Sequence, residues 1–229
     1  MASRLDCFMK FQFRLWRYAI CLAGSSCANK PIAPASVPVL RVVLVHGFMD
    51  TGSIYQTLRK RLENRGCECY VPQMNPSDGR GGLEKLAVQL KQDIDAKFGP
   101  NLPISIVAFS MGGLVTREYL QNLGGATRCE KLITISSPHH GSKLARFYPS
   151  KGAQEMRPGS DFLAGLDQSQ EKLGNMPIIS YRTPLDLMIL PPTSSIWNRA
   201  ENIEYPVLMH PLMLTSNLVL TDIENRLVK

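Results

Sequence analysis

An α/β fold, with a mostly parallel central sheet, helices on both faces and a small cap insertion, follows from three features of the sequence. Short β-branched runs alternate with segments of helical period, as βαβ units require. The run from Arg41 to Val45 is almost continuously apolar, the pattern of a strand buried on both sides. A third run, from Ile104, breaks at Ser110 into Gly112, Gly113 and a helical pattern, so that strand, sharp turn and helix follow one another within ten residues.

Taken in order, the strand ending at Val45 leads through His46-Gly47-Phe48-Met49-Asp50 into a helix whose Ile54, Leu58 and Leu62 share a face. Cys67 to Met74 reads as a second strand. Gly81-Gly82 opens a helix with Leu83, Leu86, Leu90, Ile94 and Phe98 on one stripe, stopped by Gly99-Pro100. After the Ile104 strand and its helix, Cys129 to Ile135 is the next strand. Residues 143–176 lose this rhythm: turn-rich and polar, with one short helix from Asp161, they read as a cap over the crevice. Strand character resumes at Pro177–Arg182 and again within Ile203–Met209, and a closing amphipathic helix carries Leu218, Ile223 and Leu227. Residues 41–229 are thus read as one domain, since a chain of 229 residues is short for two.

Residues 1–40 are set apart as a leader and linker. They hold Arg4, Lys10, Arg14, Arg17 and Lys30 against Asp6, which accounts for +4 of the formal +7. The leader admits three readings: a weak export signal, an amphipathic surface anchor built on Phe8, Phe11, Phe13, Leu15 and Trp16, or a disordered segment. Its apolar run is far too short to span a bilayer. The body carries no basic stripe interleaved with aromatics, so no nucleic-acid partner is expected. Of six cysteines, Cys67 and Cys69 share a strand face without the C-x-x-C pairs or histidines of a zinc site. Buried thiols in a reducing, cytoplasmic compartment are the preferred reading, and no metal is expected.

Chemistry concentrates at the carboxyl ends of the strands, where ligands bind in such sheets. The turn at Ala108-Phe109-Ser110-Met111-Gly112 needs small residues on either side of a projecting serine, and Ala108 and Gly112 are small. It resembles the nucleophile elbow of the α/β-hydrolases, with Ala108 for the first glycine. A serine nucleophile needs a positioned base and a carboxylate to orient that base. In that fold the order along the chain is Ser, acid, His. His210, directly after the last apolar run, is preferred to His139 and His140, which lie just past the strand after the elbow, so that the acid would come after them, against this order. Asp186 is preferred to Glu201 and Glu204, and to Asp161 and Asp167, which belong to the insertion. The N–H of Met111 and that of Phe48 are the expected oxyanion donors. His46 and Gly47 orient the loop that carries Phe48.

Three segments carry a wider resemblance: Val43–Phe48 (VLVHGF), Ala108–Gly113 (AFSMGG) and Thr134–Ser142 (TISSPHHGS). The last is similar to the S-P-H-x-G-S segment of triacylglycerol lipases, and the sequence resembles the bacterial lipase and esterase branch of the α/β-hydrolases over residues 41–229. The resemblance implies a carboxylic ester hydrolase acting through an acyl-enzyme on lipid-like or small acyl esters, with no cofactor. The same triad would serve an acyltransferase or a thioesterase, and a non-catalytic binding scaffold is the remaining alternative. Peripheral membrane contact, through the leader or the cap, is compatible with a lipid substrate.

Overall fold

The structure is a computed structural model and describes residues 39–228, so the three leader readings lie outside the described residues. Six strands form one parallel sheet: β1 (Arg41–Val45), β2 (Glu68–Tyr70), β3 (Ile104–Phe109), β4 (Cys129–Ile135), β5 (Ile178–Arg182) and β6 (Glu201–Glu204). Their spatial order is β2-β1-β3-β4-β5-β6, and every neighbouring pair is parallel. The chain starts inside the sheet at β1, steps outward to β2, and returns across β1 to lay down β3. The loops after β1 and β3 therefore leave the sheet towards opposite faces. That divergence opens a crevice at their carboxyl ends.

Alternation along the strands divides the core in two. Val43, Val45, Ile106, Ala108 and Leu132 face a layer containing α2 (Leu83–Phe98) and α3 (Met111–Asn122). Val42, Leu44, Val107, Phe109, Ile133 and Ile135 face α1 (Gln56–Asn64) and α6 (Asn217–Val228). Side chains of successive strand residues point to opposite faces, so a continuous apolar run is what a sheet covered on both sides demands.

Some elements differ from the sequence reading, each for a local reason. The second strand is only three residues long, because Pro72 has no N–H to give β1 and Met74 turns into the core instead. The last strand lies earlier than expected, at Glu201–Glu204, and Pro206 keeps the apolar stretch behind it out of the ladder. The first helix begins as a 3-10 turn at Gly52–Tyr55, and its buried face is Tyr55, Leu58 and Leu62, while Ile54 is only partly buried. Residues 143–176 contain two helices, α4 (Lys151–Glu155) and α5 (Asp161–Gln168), between 3-10 turns at Lys143–Phe147 and Gln170–Leu173. Ser150 and Ser160 cap the two helices by accepting from Ala153 N–H and Leu163 N–H. The five-residue α4 is too short to display a period, and contains a glycine because it meets the backbone at Gly79: Gly152 N–H donates to Gly79 O at 2.8 Å.

Tyr55 ties the helix layer to the crevice. Fully buried, its hydroxyl lies 2.9 Å from Val45 O and 3.3 Å from Val107 O, bridging the end of β1 and the middle of β3. Replacing it by phenylalanine keeps the packing and strands one acceptor. Tyr55→Phe is expected to lower stability by about 1–2 kcal/mol, read by urea unfolding.

Candidate active site

The crevice begins where β1 ends. His46 is buried, and its Nδ1 lies 3.1 Å from Gly47 O, which fixes the course of the following loop. Burial holds the His46 imidazole below its ordinary value against the opposing pull of Gly47 O and Asp50, so the ring is neutral at pH 7. A Cβ on Gly47 would come within 3.0 Å of Ser110 Cβ, so any larger residue there would press on the serine. Met49 N–H donates to Ser77 O at 2.9 Å and anchors the far side of the loop.

Ser110 sits between β3 and α3 at φ 54° and ψ −127°, a conformation that non-glycine residues rarely adopt. Among the described residues the non-glycine residues with positive φ are Met49, Ser110, Ser136 and Met209, and all four lie on segments that follow strands. Strain of this kind, costing roughly 1–3 kcal/mol each, persists where the surroundings over-determine it. Here Ser110 N–H is held by Ile135 O at 2.9 Å, and a Cβ at Gly112 would lie 2.5 Å from both Val45 O and His46 O. Helix α3 thus starts hard against the backbone of β1. Among the described residues, neither the Phe48 N–H nor the Met111 N–H has an acceptor; Met111 directly follows Ser110, and Phe48 lines the same cavity as Ser110. The N-terminal end of α3 adds a positive dipole at the same place.

Two further loops complete the site. Asp186, 2% exposed, follows β5, and its Oδ1 accepts the N–H groups of Met188 and Ile189, each at 2.9 Å. Its Oδ2 lies 2.8 Å from His210 Nδ1. Burial pushes the Asp186 carboxyl up, but the His210 hydrogen bond and charge, with the two backbone donors, outweigh it and hold the group below its ordinary value. His210 opens a 3-10 turn at His210–Leu214, its ring 4.6 Å from that of Phe109. Thr183 joins the two loops: its hydroxyl donates to Val207 O at 2.6 Å and accepts from Leu185 N–H.

Ser110, His210 and Phe48 all line one apolar cavity of about 320 Å³ at the carboxyl edge of the sheet. Its walls include Ile54 and Phe109 on one side and Leu144, Ala145, Tyr148 and Met156 from the 143–176 stretch on the other. Ser110 Oγ makes no hydrogen bond to the imidazole within 3.5 Å among the described residues; such contacts are commonly loose until a substrate is bound. The competing residues are engaged elsewhere. His139 is fully buried, stacked on Trp197 with ring centroids 4.6 Å apart, and its Nε2 meets Thr134 Oγ1 at 3.2 Å. Burial and the Arg117 charge hold it well below its ordinary value. His140 is exposed and outside the cavity. Asp167 pairs with Arg117, Glu201 with Arg226 and Glu204 with Arg182, while Asp161 starts α5.

Sequence reasoning passed over Asp50, Tyr55, Tyr148 and Thr183. Asp50 lines the cavity and burial pushes its carboxyl up, against the N–H of Thr51 and the charges of His46 and His210. An acid directly beyond a strand end was the available signal for it. Tyr55 announces itself only as the aromatic in the Tyr55, Leu58, Leu62 spacing. Cys67, Cys69 and Cys129 are free and buried, and burial pushes the thiols of Cys69 and Cys129 up to about 12, which leaves them protonated. Among the described residues no helix is long and apolar enough to cross a membrane.

The fold and the crevice define an α/β-hydrolase. Within that class the chain belongs to the palmitoyl protein thioesterase family, whose model matches residues 41–172. That span contains Phe48, Ser110 and Met111 but ends before Asp186 and His210. No curated protein matches the chain in sequence. Among solved structures, the mature lipase BlEst2 of Bacillus licheniformis aligns with a TM-score of 0.69 at 16% identity, over 85% of this chain and 96% of its own. Lipase B of Aspergillus fumigatus aligns at 0.71 and 16% identity, over 86% of this chain but 55% of its own. A monoacylglycerol lipase of Paleococcus ferrophilus gives 0.63 and 16%, over 82% and 93%. The lipase and esterase resemblance read from the sequence is therefore an architectural one, and the family model narrows it.

Two outcomes follow from this geometry. Gly112→Ala drives a Cβ into two carbonyl oxygens and is expected to cost about 3 kcal/mol, visible as a lower urea midpoint. The neutral histidines set a pH dependence. With folded values for His46 and His139 below the unfolded value of about 6.5, the unfolded chain binds protons that the folded chain does not, so stability falls as pH drops below about 6.5, by up to ~1.4 kcal/mol per pH unit for each histidine. Denaturation at a series of pH values from neutral to mildly acid checks the sign.

Proposed function

We propose that this chain is a serine hydrolase that cleaves acyl esters through an acyl-enzyme, with Ser110 as nucleophile, His210 as general base and Asp186 as the acid that orients it. The observation that carries this reading is the 2.8 Å pair of Asp186 and His210 opening onto the same apolar cavity as a serine in strained elbow geometry. In this mechanism Asp186 holds the proton on Nδ1, leaving Nε2 free to take the Ser110 hydroxyl proton as Oγ attacks the carbonyl carbon. The negative oxygen of the tetrahedral intermediate accepts from the N–H groups of Phe48 and Met111. Collapse expels the alcohol or thiol with the proton from His210, and water, activated by the same imidazole, releases the acid. His46 and Gly47 act by placing Phe48. None of these steps calls on a cofactor.

The acyl group is proposed to lie along Ile54, Phe109, Leu144, Ala145 and Met156. Residues 143–176 would then be a small cap on the domain 41–229, a role supported by the side chains they contribute to the cavity. A thioester is the second reading for the scissile bond, favoured by the family model. The buried, protonated thiols support a reducing, cytoplasmic setting.

Fluorophosphonate labelling should modify Ser110 in the wild type and nothing in Ser110→Ala; a labelled Ser110→Ala protein would refute the assignment. Ser110→Ala and His210→Ala should each reduce kcat by about 10⁶-fold, and Asp186→Asn by roughly 10⁴-fold, with folding retained. Turnover of p-nitrophenyl esters of rising acyl length, beside the matching acyl thioesters, separates the two leaving groups.

A further inference from the structure

Thirteen large apolar side chains are exposed among the described residues, and nine of them sit on the four loops that surround the cavity mouth. Each loop presents one that is mostly in water: Met49 at 65% after β1, Phe147 at 81% before α4, Leu187 at 66% beside Asp186, and Leu208 at 63% before His210. The loops are neighbours in space, since Met49, Tyr148, Met188 and His210 all line the cavity. The remaining four, Val39, Val88, Leu102 and Leu218, come from other parts of the chain. Scattered exposed apolar residues are ordinary, whereas a group gathered round a single opening marks an interaction surface.

Carboxylates and cations both occur near this rim, Asp50 in the cavity lining and Asp78 paired with Arg80 beside Met49 and Tyr148, but its exposed, unpaired charges are cationic. Lys143 and Arg146 are exposed and have no ion-pair partner among the described residues. The acids of the same loops are turned to other uses: Asp186 is buried on His210, Asp50 lies within the cavity wall, and Glu155 is held by Leu83 N–H and Lys151. Apolar side chains on separate loops, flanked by free cations, match the chemistry of an anionic lipid surface, into which Phe, Leu and Met tips insert while Lys and Arg meet phosphate head groups.

We propose that this rim docks the protein on an anionic lipid surface with the cavity mouth facing the acyl layer. The inference rests on the acyl-hydrolase reading and names where its substrate comes from: an ester or thioester whose acyl chain is held in a bilayer and enters the cavity without crossing water.

The test is co-sedimentation of the full chain with vesicles of phosphatidylcholine, with or without phosphatidylserine. The wild type should bind the mixed vesicles more strongly than the neutral ones. The triple variant Phe147→Ser, Leu187→Ser, Leu208→Ser, none of whose side chains lines the cavity, should lose roughly tenfold in partitioning. Lys143→Gln with Arg146→Gln should erase the preference for phosphatidylserine. Turnover of a water-soluble p-nitrophenyl butyrate should stay within about twofold in both variants, which shows that they are folded. Equal vesicle binding by the wild type and the triple variant, or none by the wild type, overturns the proposal. So does a wild-type dimer in sedimentation velocity that the triple variant splits, since the rim would then seat a second copy. Vesicle binding that follows the rim while the wild type hydrolyses no ester or thioester would leave the docking face standing and remove the catalytic reading.

Discussion

The carbonyl oxygens of Val45 and His46 lie 2.5 Å from where a side chain at position 112 would begin, and the rest of the crevice depends on that approach. It forces α3 to start directly above β1, which in turn holds Ser110 in a backbone conformation it would not keep alone. Gly47 is favoured by the same crowding, from the other side, because the loop after β1 must pass close to Ser110 Cβ. The Phe48 and Met111 N–H groups, without acceptors among the described residues, result from this arrangement: Met111 heads a helix and Phe48 lies on a loop that has no strand to pair with. The sheet order sets the position of all of it, since β1 and β3 are adjacent strands whose loops leave in opposite directions.

The acid and the base come from farther along the chain and are tied down differently. Asp186 keeps its charge in a buried place because three donors meet it, two from its own loop and one from His210. A buried carboxylate with fewer partners would take up a proton instead. Thr183 fastens this loop to the one that carries His210, so the acid and imidazole are placed by a shared backbone contact as well as by their own bond. His139 illustrates the contrary case. Stacked on Trp197, which itself lies under the guanidinium of Arg117, it is dry and neutral and serves the packing behind the site.

Arg117 has a further part in this packing. Fully buried on α3, it donates to Gln121 and to Asp167 of α5, joining the helix that begins at Ser110 to the 143–176 stretch. The cavity is thus bounded by elements that are coupled to one another through polar contacts as well as through apolar burial. Its lining is mostly apolar with a few polar groups, among them Ser110 and His210, an arrangement typical of sites that hold a hydrophobic ligand.

Much of this was legible in the amino-acid order. Runs dominated by apolar residues, Val42–Val45, Ile104–Phe109 and Leu132–Ile135, match the central strands because burial on both faces leaves little room for polar alternation. The stripe from Leu83 to Phe98 matches α2 end to end, bounded by Gly82 and Gly99. The edges were not legible: β2 and β6 have a single neighbour each, so proline and solvent rather than periodicity decide where they stop. Residue identity and chain order singled out Ser110, Asp186 and His210 as candidates, since local motifs and their sequence are properties of the linear chain. That the carboxylate of Asp186 meets the imidazole of His210, that Asp50 and Tyr148 enter the cavity, and that Tyr55 bridges two strands were decided only by tertiary structure. These are contacts between groups far apart along the polymer, set by how the sheet orders its strands and how closely α3 can approach β1, and no local pattern encodes such distances.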